Sequence, residues 1–234
     1  MRKETDLEAV KGVARNFVYL DVRISEKVGF ICHHPYIGQI ATVVNENGKL
    51  VLKDVRNEKD LEDIRQNIIK TIDTVTGYLQ FIHIIRPPYL PAFFKFTRRF
   101  LNAYDYSSFL GSMWTIVEFP NVDDNITASE FVKIFRRADK TLLMDEDEQK
   151  QYSALPEEIT VYRGIRGRGS LKALSWTTDM AQAEWFAKRW DKNGKVYSAT
   201  VDKEDVLAVF TSRGESELVV DFTELSDIKL EREY

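Results

Sequence analysis

Thr211-Ser212-Arg213-Gly214-Glu215-Ser216-Glu217-Leu218-Val219-Val220-Asp221 decides how the C-terminal half of this chain folds. Gly214 marks a turn, and the apolar run 218–220 marks the strand that leaves it. Side chains alternate along an extended chain, so Glu215 and Glu217 point to one face. Like charges side by side at the lip of a strand repel each other. Such a pair is either a solvated strand end or a site where carboxylates meet a cation. Residues upstream decide between the two.

Ile159-Thr160-Val161-Tyr162-Arg163-Gly164 reads as a β-branched strand ending on an arginine. The loop Ile165-Arg166-Gly167-Arg168-Gly169-Ser170 follows, rich in glycine and able to approach a ligand. Leu174-Ser175-Trp176-Thr177-Thr178 is a second strand. Asp179 then caps a helix over 180–189 that packs through Ala183, Phe186 and Ala187. A turn at Asn193-Gly194 and strands over 196–201, 206–210 and 218–221 complete a β-rich unit with one short helix.

Before it, Thr127 or Ser129 caps a helix to Ala138 with Phe131, Ile134 and Phe135 as its buried stripe. A helix over 141–152 carries Asp145-Glu146-Asp147-Glu148 as a solvated face and stops before Pro156. Arg86-Pro87-Pro88-Tyr89-Leu90-Pro91 breaks regular structure and reads as a linker. Phe93, Phe94, Phe96, Phe100, Tyr104, Tyr106 and Phe109 then alternate with Lys95, Arg98 and Arg99. That segment is either a surface for stacking nucleic-acid bases or a helix with its aromatic face buried.

At the N-terminus a helix over 5–16 starts at Thr5 or Asp6, and strands are expected over 17–24, 27–33, 40–44 and 50–55. Asn47-Gly48 is a hairpin turn. Leu61, Ile64, Ile68, Ile72 and Val75 recur at helical spacing and predict a helix over 59–79. The expected organisation is α+β: a small β-rich accessory unit with one long helix over 1–90, then a catalytic β-core with flanking helices over 91–234.

Composition narrows the function classes. The chain has 234 residues, of which 44% are hydrophobic and 30% charged, as in ordinary globular domains. A net charge of −4 excludes a globally basic nucleic-acid binder and leaves room for a local basic patch. The single cysteine, Cys32, forms no internal disulfide, which suits a reducing cytoplasm. No apolar run approaches the ~20 residues of a membrane span, and the charged start Met1-Arg2-Lys3-Glu4 is unlike a signal peptide. Cys32, His33 and His34 make a poor metal site, because strand neighbours face opposite ways and no second ligand pair exists. Ser175 lacks the Gly-x-Ser-x-Gly elbow of a serine hydrolase, and no strand–Gly-x-Gly-x-x-Gly–helix unit is present.

The chain order of Tyr162-Arg163-Gly164, Ser175-Trp176-Thr177 and Glu215-Ser216-Glu217 resembles the mono-ADP-ribosyltransferases of the Arg–Ser–Glu class. That fold is shared by bacterial toxins and phage enzymes. The likeness covers residues 106–234, with its motifs within 162–217, and Trp176 is the departure at the centre of the second motif. It implies an ADP-ribosyltransferase-like core and a cytoplasmic enzyme, a toxin or effector, that moves ADP-ribose from NAD+ to a macromolecule without a metal. It assigns Glu217 to the 2′-hydroxyl of the nicotinamide ribose and Glu215 to the acceptor. Arg163 takes a phosphate, the Gly164 backbone takes the nicotinamide carboxamide, and Ser175 braces Glu217 and the ribose. Thr177 completes the second motif, and Arg189 is a further phosphate candidate. The chemistry agrees with these roles: cleavage of the N-glycosidic bond passes through an oxocarbenium-like state, which a nearby carboxylate stabilises.

A protein acceptor, with arginine as its side chain, is the leading implication of the Glu-x-Glu motif. RNA or DNA modified by a toxin of an anti-phage toxin–antitoxin system is the alternative, and an NAD+ glycohydrolase is a further one. The resemblance also implies an antitoxin or chaperone partner on the N-terminal unit, and no membrane. A binding module with purely structural glutamates is the non-enzymatic rival.

Overall fold

The computed structural model describes residues 2–118, 125–166, 169–189, 193–211 and 216–234. It divides into two compact units: Met1–Phe109 with Ile116–Glu118, and Leu110–Thr115 with Phe119–Tyr234. Both helices and antiparallel sheet are present, so the fold class is α+β. Among the described residues no helix is long and apolar enough to cross a membrane.

In the first unit α1 (Leu7–Val18) starts at Asp6, whose side chain accepts from the Ala9 amide. Phe17 and Val18 extend the buried stripe of Val10 and Ala14, so they stay helical. The strand expected over 17–24 therefore shrinks to β1 (Arg23–Ile24), paired with β2 (Cys32–His33). Strands β3 (Ala41–Glu46) and β4 (Lys49–Asp54) form the expected hairpin, and Asn47 and Gly48 both take positive φ, 52° and 85°. Helix α2 (Glu58–Asp73) ends at Thr74, short of the expected 79. Beyond it the Gln80 side chain accepts from the Thr76 and Gly77 amides and starts a 3-10 turn, Tyr78–Gln80, that leads into α3 (Phe81–Ile84).

Among the described residues the first unit has these short strands against several helices and is not β-rich. The proline segment is not a linker either. Pro87–Tyr89 is a 3-10 turn, and Pro91 sits in the first turn of α4 (Leu90–Thr97), where a missing N–H costs no hydrogen bond. Arg86 Nη1 donates to the carbonyls of Cys32, His34 and Ile37 at 2.8, 3.1 and 3.1 Å. The division between units falls inside α5 (Ala103–Ile116). Phe93, Phe94, Tyr106 and Phe109 are buried: Phe93 packs with Tyr78 and Phe81, Phe109 with Tyr78, and Phe94 with Tyr106 and Phe109. Burial removes these four rings from any base-stacking surface; of the segment's aromatics, Phe96 and Tyr104 are exposed.

His34 is buried and already satisfied. Its Nδ1 accepts from the Tyr36 and Ile37 amides, both at 3.2 Å, and Nε2 lies 3.3 Å from the Val18 carbonyl. This is the pattern of a neutral imidazole protonated on Nε2. Burial lowers its pKa to about 4. The unfolded chain therefore takes up a proton near pH 6.5 that the folded chain refuses, so stability is full above that pH and falls as pH drops toward 4. The expected loss between pH 7 and pH 5 is about 2 kcal/mol. Urea unfolding at the two pH values measures it, and the His34→Gln variant should lose that part of the slope.

In the second unit, after the end of α5, comes α6 (Ala128–Arg137), capped by the Thr127 side chain as expected. The single helix expected over 141–152 is two, α7 (Lys140–Leu143) and α8 (Glu146–Ala154), because Met144 is extended and Asp145 with Glu148 forms a new capping box. Glu148 is thus not on a solvated face. It is buried, accepting from the Asp145 amide at one oxygen and from the Thr211 amide at the other.

The sheet comprises β5 (Glu158–Arg166), β6 (Ser175–Thr177), β7 (Gly194–Asp202), β8 (Val206–Phe210), β9 (Glu217–Val220) and β10 (Ser226–Glu233). Its order is β10-β7-β5-β6-β9-β8, antiparallel throughout. Helix α9 (Met180–Lys188) connects β6 to β7 and is capped by Asp179. Strand β10 is exposed along its whole length and carries Lys229, Glu231, Arg232 and Glu233. Those charges suit an unprotected sheet edge, and they alternate with the exposed Ile228 and Leu230. Arg136 fastens α6 to the sheet: Nε donates to Asp221 Oδ2 at 2.8 Å and Nη2 to Asp205 Oδ1 at 2.5 Å. Burial pushes the Asp221 pKa up, but the Thr223 hydroxyl and Arg136 outweigh it and hold it below the usual carboxylate range.

Candidate active site

The three central strands bring the three sequence motifs together. Tyr162 of β5 pairs with Thr177 of β6, and Thr177 pairs with Glu217 of β9. Directly paired residues share a face, so Thr177 and Glu217 stand side by side. Ser175, paired with Val219, lies two residues along the same face. Arg163 is one step out of this row and half-buried. Its Nη1 donates to the Ser175 carbonyl and its Nε to the Ser170 carbonyl at 3.2 Å, two of the fork's five N–H groups.

The charges of Arg163 and Glu217 interact. Burial lowers the Arg163 pKa to about 10, and the negative charge of Glu217 acts against that shift. At neutral pH the guanidinium stays protonated but partly stripped of water, a state in which its planar fork gains from an anion such as phosphate.

Glu217 itself is held from a distant part of the sequence. Trp114 on α5 donates from Nε1 to Glu217 Oε1 at 3.1 Å, across 103 residues. Trp114 is buried, with Phe131 and Phe135 of α6 packed edge-on at 5.4 and 4.9 Å between ring centres. Nothing local in the sequence marks this tryptophan, because its neighbours form an ordinary apolar helix.

Thr177 is buried and its hydroxyl is used by the fold. It accepts from the Asp179 amide and donates to Gln182 Oε1, both at 3.0 Å. The same Gln182 oxygen accepts from the Ser216 amide at 3.3 Å, tying the strand before α9 to the residue before Glu217. Gln182 had no sequence signal beyond its place on a capped helix.

Gly164 has a steric reason for being glycine. A Cβ there would lie 1.9 Å from the Ala183 carbonyl oxygen and 2.8 Å from the Ala187 nitrogen. Strand β5 and helix α9 are thus in backbone contact, with Ala183, Ala187 and Val196 buried around it. Trp176 is buried, its Nε1 bonded to the Ala173 carbonyl, and it is a core residue. Arg189 follows α9 and is exposed, its guanidinium 4.8 Å from the centre of the Trp185 ring. Glu215, with Gly214 and Arg168, lies outside the described residues. Asp202, Glu204 and Asp205 have carboxylates within 4.8 Å of one another, but Asp205 is already bonded to Arg136. No protein-family model, curated protein or solved structure matches this chain.

Proposed function

We propose that this chain is an NAD+-dependent mono-ADP-ribosyltransferase that modifies a protein. The observation that supports it is the register that sets Glu217 beside Thr177 on adjacent strands, with the half-buried Arg163 on the next strand, β5, within reach of the Glu217 charge. Two parts of NAD+ ask for that pairing: the anionic pyrophosphate, and the ribose that becomes cationic as its bond to nicotinamide breaks. Arg163 offers charge to the first and Glu217 to the second. The electron pair of the broken bond leaves on nicotinamide, which departs neutral. The acceptor's nucleophile then bonds to the anomeric carbon and gives its proton to a base, the role proposed for Glu215.

NAD+ labelled on its adenylate half, incubated with cell lysate and enzyme, tests this. The expected result is label on macromolecules that protease removes and nuclease does not. Label removed by nuclease would move the acceptor to RNA or DNA, and nicotinamide release without any label would make the enzyme a glycohydrolase. No turnover at all would end the transferase reading.

A further inference from the structure

We infer that Trp114 is a positioning residue for Glu217, holding one carboxylate oxygen in place before substrate arrives; this rests on the transferase reading above. A tryptophan has one polar atom, and when the ring is buried that N–H finds a partner. Here the partner is the glutamate that opens β9, and the bond is charge-assisted, stronger than one between neutral groups. The donor is itself fixed, since the ring is wedged between Phe131 and Phe135 and its backbone belongs to α5. An unheld glutamate has three side-chain torsions to sample, and most of those positions miss a given atom of the substrate. Bonding Oε1 to a rigid indole confines the carboxylate beforehand, the kind of preorganisation that lowers a barrier without tightening ground-state binding.

Trp114→Phe keeps an aromatic ring between Phe131 and Phe135 and deletes the N–H. If the bond positions Glu217, kcat for nicotinamide release should fall roughly 10- to 100-fold, with KM for NAD+ within about twofold. A bond that merely satisfies a buried indole predicts an unchanged kcat. A second measurement covers the case in which Trp114→Phe does not fold. The chain has four tryptophans, and in protein labelled with 15N-tryptophan the Trp114 indole resonance should move upfield in Glu217→Gln, where the acceptor is neutral. An indole spectrum identical in native protein and Glu217→Gln would overturn the inference, as would native kcat in a folded Trp114→Phe. Native enzyme without NAD+ turnover would bring down the transferase reading first, and the positioning role with it. A lost kcat in Trp114→Phe beside an active native enzyme supports both.

Discussion

Glu217→Gln is expected to cut NAD+ cleavage by roughly 10²- to 10³-fold. Glutamine has the shape of glutamate and can still accept from Trp114 Nε1, so the substitution removes charge and little else. The ribose then develops its positive charge with no carboxylate beside it. Arg163 keeps its backbone bonds to Ser170 and Ser175 and loses only an opposing charge. Phosphate binding should therefore hold, and KM should change much less than kcat. Single-turnover release of nicotinamide separates the two. A native rate in Glu217→Gln would return the glutamate to a structural strand end. Glu217→Asp makes a useful companion, since it keeps the charge but withdraws it by one methylene, and a displacement of that size costs rate when orientation matters.

Gly164→Ala should be the most destabilising single methyl that can be added to the second unit's described glycines, together with Gly194→Ala. The new Cβ would meet the Ala183 carbonyl oxygen at 1.9 Å in the first case and the Ala187 carbonyl oxygen at 2.0 Å in the second. These are backbone atoms of α9, which cannot swing aside as a side-chain tip can, so the helix must shift bodily from the strand. Overpacking of a well-filled core commonly costs about 1–3 kcal/mol, and this geometry should reach about 3 kcal/mol or more. For a chain of this size that is a fall of roughly 6–12 °C in Tm. Gly12→Ala is the control: nothing lies within 4 Å of its Cβ in α1, and alanine there should stabilise by about 0.5–1 kcal/mol. A thermal melt of the three variants tests the set. An unchanged Tm in Gly164→Ala would mean that α9 rides on β5 more loosely than the close contact implies. Because Gly164 follows Arg163, loss of NAD+ cleavage should accompany the loss of stability.

Part of this molecule was legible one stretch at a time. Asp179 announces the start of α9, Thr127 that of α6, and Asn47-Gly48 the hairpin, because caps and turns depend on a few neighbouring residues. Strand β8 was legible as the apolar run 206–210, buried along its length. The same local reading misled where a residue had two uses. Pro91 breaks a helix in its interior but opens one at its first turn, so the proline segment resembles a linker and is packed against the core. Glu148 sits among acids and looks solvated, yet its partners are the amides of Asp145 and Thr211.

The candidate site divides the same way. Sequence by itself determined the chain order of the motifs, that Ser175 to Thr177 form a strand and that Glu217 opens one. Those facts follow from alternation and turn chemistry, which act over a few residues. Arg163, expected at a strand end, lies inside β5, which runs on to Arg166. Only the tertiary structure decided that β6 lies between β5 and β9, so that Thr177 stands beside Glu217. It alone decided that an indole from α5 and a glutamine from α9 brace that row. Contacts across 103 residues depend on how helices and strands bury their faces together, and no local pattern carries that information.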